Sequence, residues 1–133
     1  MASIRREIMT TAAPAFVWDA IRDVGALHTR LVPGFVTDTK LEPGARIVTF
    51  ANGMTAKELI VDCDDAARRL VWSAVGGRMS RHNASVQVCA EGGGSRVVWI
   101  ADLLPDELAP AISGMIDQGM AAMKATLDAA SHG

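Results

Sequence analysis

Arg81-His82-Asn83-Ala84-Ser85-Val86-Gln87-Val88-Cys89-Ala90 runs into Glu91-Gly92-Gly93-Gly94-Ser95 and resumes as Arg96-Val97-Val98-Trp99-Ile100-Ala101-Asp102-Leu103-Leu104. The first arm has a period of two. His82, Ala84, Val86 and Val88 share one parity; Asn83, Ser85, Gln87 and Cys89 share the other. Only the apolar set can face a core, so the arm reads as a half-buried strand. Three glycines then break the pattern, and a second apolar run follows before Pro105. Two such runs around a glycine turn make a hairpin.

The same grammar extends upstream. Strands are expected over Phe35–Leu41, Ala45–Ala51, Thr55–Asp62 and Arg69–Val75. Their separators are Glu42-Pro43-Gly44, Asn52-Gly53, an acidic turn at Asp64-Asp65, and Gly76-Gly77, all turn formers. Six strands joined by short turns describe an antiparallel meander. Ahead of them, Ser3–Thr10 reads as a short strand. Pro14 opens a helix carrying Phe16, Val17, Ala20, Ile21 and Val24, and Gly25 stops it. Ala26–Leu31 forms one further helical turn before Pro33-Gly34. Downstream, from about Glu107 to Ala130, Leu108, Ile112, Met115, Ile116, Gly119, Met120, Met123 and Leu127 fall on one helix face. That helix is about 20 residues and about 30 Å long, with Asp106 placed to cap it. The class is therefore α+β: a curled antiparallel sheet of about seven strands around a long C-terminal helix, with two short helices after the first strand.

The 133 residues suit one domain, 1–133, and half of them are apolar. A formal charge of −2 with no basic run argues against a nucleic-acid partner. No apolar stretch approaches the ~20 residues of a membrane span. The N-terminal Met1–Glu7 segment has charges with no apolar run behind them, so a cytoplasmic protein is expected. Cys63 and Cys89 lie in strands without zinc-type spacing and read as buried thiols. Gly92-Gly93-Gly94 lacks the lysine and helix of a phosphate loop, and no nucleophile elbow or paired-histidine zinc motif occurs. Neither a cofactor nor a metal is expected.

Several stretches together resemble the helix-grip fold of the START-like (SRPBCC) superfamily. They are Ala13-Pro14-Ala15-Phe16-Val17-Trp18-Asp19-Ala20-Ile21-Arg22-Asp23, Val32-Pro33-Gly34-Phe35, Lys57 to Asp64 with Arg69-Leu70-Val71-Trp72, the Gly76-Gly77 turn, Arg96-Val97-Val98-Trp99 and the long last helix. The likeness covers essentially the whole chain and is closest to polyketide cyclase/dehydrase-like proteins. It implies a cavity between the curled sheet and the last helix, holding a small, mostly apolar molecule. The activity it implies is polyketide cyclisation or dehydration; the alternatives are a non-catalytic lipid- or quinone-type carrier or sensor, or a protein-interaction module. In related plant receptors, loops equivalent to Ala51–Met54 and Gly76–Met79 close over the ligand. This chain lacks the receptors' proline in the first, and Met79-Ser80-Arg81-His82 departs from the second.

Candidate site residues follow from parity, with the resemblance beside it. His82 shares the inward parity and could move a proton near neutral pH. Asp102 faces inward if Val98 and Ile100 do, and solvent if Val97 and Trp99 do; both parities are apolar. Glu58 goes with Ala56 and Ile60 and matches a cavity glutamate of related receptors. His82 with Glu58 or Asp102 is the candidate acid–base pair. Trp72, Ala84, Val86 and Ile100 are candidate wall residues. Met115, Gly119 and Met123 form a helix stripe that is either core or an adaptable wall. His28 stands near the expected mouth, where many family members carry tryptophan. Arg46, Arg78 and Arg81 could balance inward carboxylates or bind a ligand's acidic group, but each reads first as a surface arginine. If Trp99 and Val97 faced outward they would form an apolar strip, and a homodimer is then expected.

Overall fold

The computed structural model describes residues 1–132. Strand β1 (Ala2–Thr10) leads to helix α1 (Pro14–Arg22) and a single π-helical turn, Leu27–Leu31. The meander follows as β2 (Val36–Glu42), β3 (Ala45–Phe50), β4 (Thr55–Asp64), β5 (Arg69–Val75), β6 (Arg81–Glu91) and β7 (Gly94–Leu104). A 3₁₀ turn, Asp106–Leu108, then enters helix α2 (Ala109–His132). The sheet order is β1-β7-β6-β5-β4-β3-β2, with every pair antiparallel. β1 returns against β7, from Ala2 opposite Leu103 to Thr10 opposite Ser95. Asp106 lies inside the 3₁₀ turn and does not cap α2, whose first turn accommodates Pro110 because no N–H is needed there.

The two faces of the sheet are set by β7. Val97, Ala101 and Leu103 are sealed, and Trp99 lies with them on the concave side. Asp102 and Ile100 therefore belong to the outer face, where Asp102 stands opposite Asn83 and Ser3, and Ile100 is 36% exposed. The inward alternative for both is overturned: alternation is strict along β7, and the larger tryptophan takes the dry side. The same orientation removes the outer Val97–Trp99 strip that motivated a homodimer. The thiols also depart from expectation. Cys63 is exposed, beyond a bulge between Ile60 and Asp62, and Cys89 is half-buried.

The concave face is filled by Ile4, Leu70, Trp72, Ala84, Val86, Val88 and the β7 set, under Ile116, Met120, Met123 and Leu127 of α2. α1 seals one end with Val17, Trp18, Ala20 and Ile21. It is tied to the β4–β5 turn because Trp18 Nε1 and Arg22 Nε both donate to Asp65 Oδ1, at 2.9 and 2.8 Å.

Polar contacts lace α2 to β1. Arg6 donates to Asp117 at 2.8 Å and to Ser113 Oγ at 2.6 Å, and Lys124 Nζ donates to the Met9 carbonyl at 2.5 Å. Asp128 accepts from the Thr10 hydroxyl at 2.7 Å and the Thr11 amide at 3.1 Å, and pairs with Lys124 at 3.0 Å. The Thr10 hydroxyl bond, with the Lys124 and Thr11 bonds behind it, holds the Asp128 carboxyl down at about 2.

Gly94 is needed for close approach: a Cβ there would lie 2.1 Å from the Thr10 carbonyl oxygen. Gly94→Ala is expected to destabilise by roughly 2–3 kcal/mol through overpacking, whereas Gly114→Ala, with open space around it, should stabilise by up to about 1 kcal/mol. Urea midpoints of the two variants check both signs. A carboxyl depressed in the folded state stabilises above its ordinary range and loses that contribution as pH falls through its folded value. Asp128→Asn should therefore be less stable than the parent at pH 6, with the difference shrinking below about pH 4 and disappearing only as the pH falls through the folded value of about 2, as thermal melts across that range would show.

Candidate ligand site

One transverse row of the sheet gathers the polar groups of the concave face. Arg46 on β3 stands opposite Glu58 on β4, Glu58 opposite Ala74 on β5, and His82 on β6 opposite Leu103 on β7. Arg46 Nε donates to Glu58 Oε1 at 2.8 Å, with the two side chains 4% and 11% exposed. Arg46 Nη1 also reaches the Val24 carbonyl at 3.3 Å, and its guanidinium lies 5.7 Å from the Trp72 ring centroid. Arg46, read from sequence as a surface arginine, is thus a buried cation neutralised by one carboxylate and packed on one indole. The β3–β4 turn produces this pairing. Phe50 accepts Met54 as its partner (Phe50 N–H to Met54 O, 2.8 Å), so three residues form the loop and Arg46 meets Glu58 rather than Leu59.

His82 does face inward, half-buried. Its Nδ1 accepts the Ala74 N–H at 2.9 Å, and Ser73 Oγ donates to the His82 carbonyl at 2.5 Å. The regular β5–β6 ladder ends one step earlier, at Trp72 opposite Ala84. The imidazole thus stands in for a backbone carbonyl where the two strands part. Acceptance at Nδ1 requires the ring proton on Nε2. Burial pushes the imidazole below its ordinary range, against the pull of Asp102 from the neighbouring strand. Beside it a groove of about 450 Å³ opens between the ends of β5 and β6, bordered by Ser73, Met79, Arg81 and Asn83. A second concavity, about 290 Å³, lies at the β6–β7 turn against Lys124.

The expected acid–base groups do not converge. Asp102 is on the other face. Glu58 and His82 flank Ala74 from opposite sides, two strand spacings apart, roughly 10 Å. Glu58 is engaged by Arg46, so of the two sequence alternatives for this arginine the carboxylate-balancing one holds, although the residue type favours the surface.

The expected wall residues sort similarly. Ala84 and Val86 are buried, as is Trp72 opposite Ala84, and Trp72 meets Trp99 edge-on at 5.7 Å between centroids. Phe35 and Phe50 form a second edge pair at 5.4 Å. Gly119 of α2 crosses this aromatic layer: a Cβ there would sit 3.1 Å from Trp99 and 3.2 Å from Phe35. The glycine thus lets the helix down onto the rings and does not leave free space. Met123 is sealed and Met115 half-buried. His28 is half-buried with Nδ1 3.1 Å from Thr39 Oγ1 on β2. Phe35, Phe50, Met79, Trp99 and Ile112 pack on the core yet stay partly exposed. The Trp99 indole Nε1 is buried and has no hydrogen-bond partner among the described residues.

No group of three or more metal-ligating side chains occurs among the described residues. No helix among them is long and apolar enough to cross a membrane.

A family model described as polyketide cyclase / dehydrase and lipid transport matches residues 1–128. No curated protein matches the sequence. Among solved structures, XoxI from Bacillus cereus is similar at 20% identity, with 96% of each chain covered and a TM-score of 0.85. A protein from Thermobifida fusca is 27% identical over 97% of this chain and 91% of its own, with a TM-score of 0.76. Norcoclaurine synthase from Thalictrum, solved as a point mutant with a transition-state analogue, is 16% identical over 95% and 93%, with a TM-score of 0.68.

Removing one partner of a buried ion pair strands the other charge. Glu58→Gln is expected to destabilise by about 3 kcal/mol, while Arg46→Met combined with Glu58→Leu should recover to within about 1 kcal/mol of the parent. Denaturant titration of the three proteins measures this. A double variant as unstable as the single one would assign the cost to packing rather than to charge.

Proposed function

We propose, because the chain belongs to the polyketide cyclase / dehydrase and lipid transport family, that it binds a small, mostly apolar molecule against the concave face of its sheet, beneath α2. One observation carries this reading. Phe35, Phe50, Met79, Trp99 and Ile112 all pack on the core and all stay partly exposed, while the deeper layer is sealed. Rings and thioethers that are dry on one side and wet on the other suit an apolar guest. Opening the layer to admit one requires α2 to lift from Trp99 and Phe35 at Gly119.

Binding without bond-making is the reading favoured here. Glu58 has its charge engaged by Arg46, Asp102 lies on the outer face, and the His82 Nδ1 already accepts a hydrogen bond from the Ala74 N–H. A second reading keeps catalysis. His82 is neutral, bears its proton on Nε2 and borders the 450 Å³ groove. As a single hydrogen-bond donor, that Nε2–H would polarise a carbonyl oxygen of a polyketide-like chain held in one folded shape, as a cyclase or dehydratase requires.

The test is titration with N-phenyl-1-naphthylamine, followed by energy transfer from tryptophan. Saturable binding of one probe per chain is expected. Gly119→Leu, driven between Trp99 and Phe35, should weaken it at least tenfold, and Val61→Thr on the exposed outer face should leave it unchanged. Probe binding unaffected by Gly119→Leu would place the guest elsewhere and end this reading.

A further inference from the structure

Trp99 Nε1 is a strong donor, it is buried, and no described residue accepts from it. Buried indole N–H groups ordinarily find a partner, because the bond given up to water is otherwise not replaced. Trp18 shows the contrast: its Nε1 donates to Asp65 at 2.9 Å. The unpartnered N–H belongs to the ring that meets Trp72 edge-on and lies under Gly119. It is thus part of the layer to which the family reading assigns the guest.

The charges nearby fix the polarity of what would accept this proton. Arg46, beyond Trp72, is already neutralised by Glu58 at 2.8 Å and held by the Val24 carbonyl. The one buried arginine of the concave face among the described residues is therefore already compensated, and a carboxylate placed beside Trp99 would lose its hydration without that counter-charge. A neutral acceptor needs none. The ring pairs Trp72–Trp99 and Phe35–Phe50 present edges and faces suited to a flat frame.

We propose that Trp99 is a specificity-determining residue, its indole N–H donating to the carbonyl oxygen of a flat, neutral guest such as an aryl ketone or quinone. This rests on the reading that a guest occupies the layer beneath α2, and it adds the chemical class of that guest.

Two probes with one frame test it: tetralin, and 1-tetralone, which carries the carbonyl. An apolar wall without a donor prefers tetralin, since the ketone must shed water. The parent protein is expected to bind tetralone at least as tightly as tetralin. Trp99→Phe removes the N–H and keeps a ring, and should move the ratio of the two dissociation constants about tenfold toward tetralin. In ¹H–¹⁵N spectra, tetralone should shift downfield the indole resonance that Trp99→Phe deletes, leaving that of Trp18 in place; tetralin should not. The parent's spectra decide the matter even if the variant folds poorly. Equal movement of the Trp99 resonance by both probes, or a ratio unchanged by the substitution, overturns the assignment of the carbonyl while leaving the pocket intact. Failure of both probes to bind at millimolar concentration overturns the pocket and this inference together.

Discussion

A single helix has to cover the concave face of a seven-stranded sheet, and most of the architecture is a response to that constraint. Seven strands laid flat would span roughly 30 Å, against a helix only about 10 Å across. The sheet must curl, and what the helix cannot reach must be filled by large side chains from the sheet and the turn that enters it. Trp72, Trp99, Phe35 and Phe50 supply that bulk in two edge-on pairs. α2 meets them at Gly119, the one place on its buried face without a side chain. The helix is held at one margin by the polar lacing to β1, so the layer of rings is fixed along β1 and β7 and less bound toward β2 and β3.

The fold was largely legible because its signals are local. Alternation and turn dipeptides locate β2 to β7 within a residue or two, and the apolar stripe of α2 recurs at helical spacing. The site was less legible because its arrangement depends on parity and register. Along β7 both parities are apolar, so residue pattern left Asp102 and Ile100 open; burial of the large Trp99 decided the matter. Arg46 was misplaced for a related reason. Its partner is set by a three-residue loop where Asn52-Gly53 also suits a two-residue one, and a slip of one residue would have put Leu59 opposite. The cysteines were misread as buried because strand membership was taken for burial, whereas Cys63 lies past a bulge at the rim. Trp99 carried no sequence signal of an unpaired donor, since that depends on every neighbour at once.

The polar row from Arg46 to His82 shows how the protein tolerates charge in its interior. Each group is given a partner from the backbone or from the facing strand, and none is left to the solvent-poor layer alone. Such a row resists slippage, because moving β4 by one residue would separate the ion pair and move Glu58 to the other face. The same commitments limit its chemistry. A carboxylate already held by a guanidinium has fewer lone pairs free for a guest, and an imidazole that accepts an amide hydrogen bond has one nitrogen left to offer.

Gly119 has an implication at the level of heredity. The distance between the helix and the rings is set there by an absent side chain, and every single-nucleotide change of a glycine codon that alters the amino acid installs a Cβ. The breadth of the interior is therefore under the control of one codon, able to change in one step while the meander, its turns and its lacing stay as they are. A lineage carrying this scaffold can retune what it accommodates faster than it can rebuild the walls.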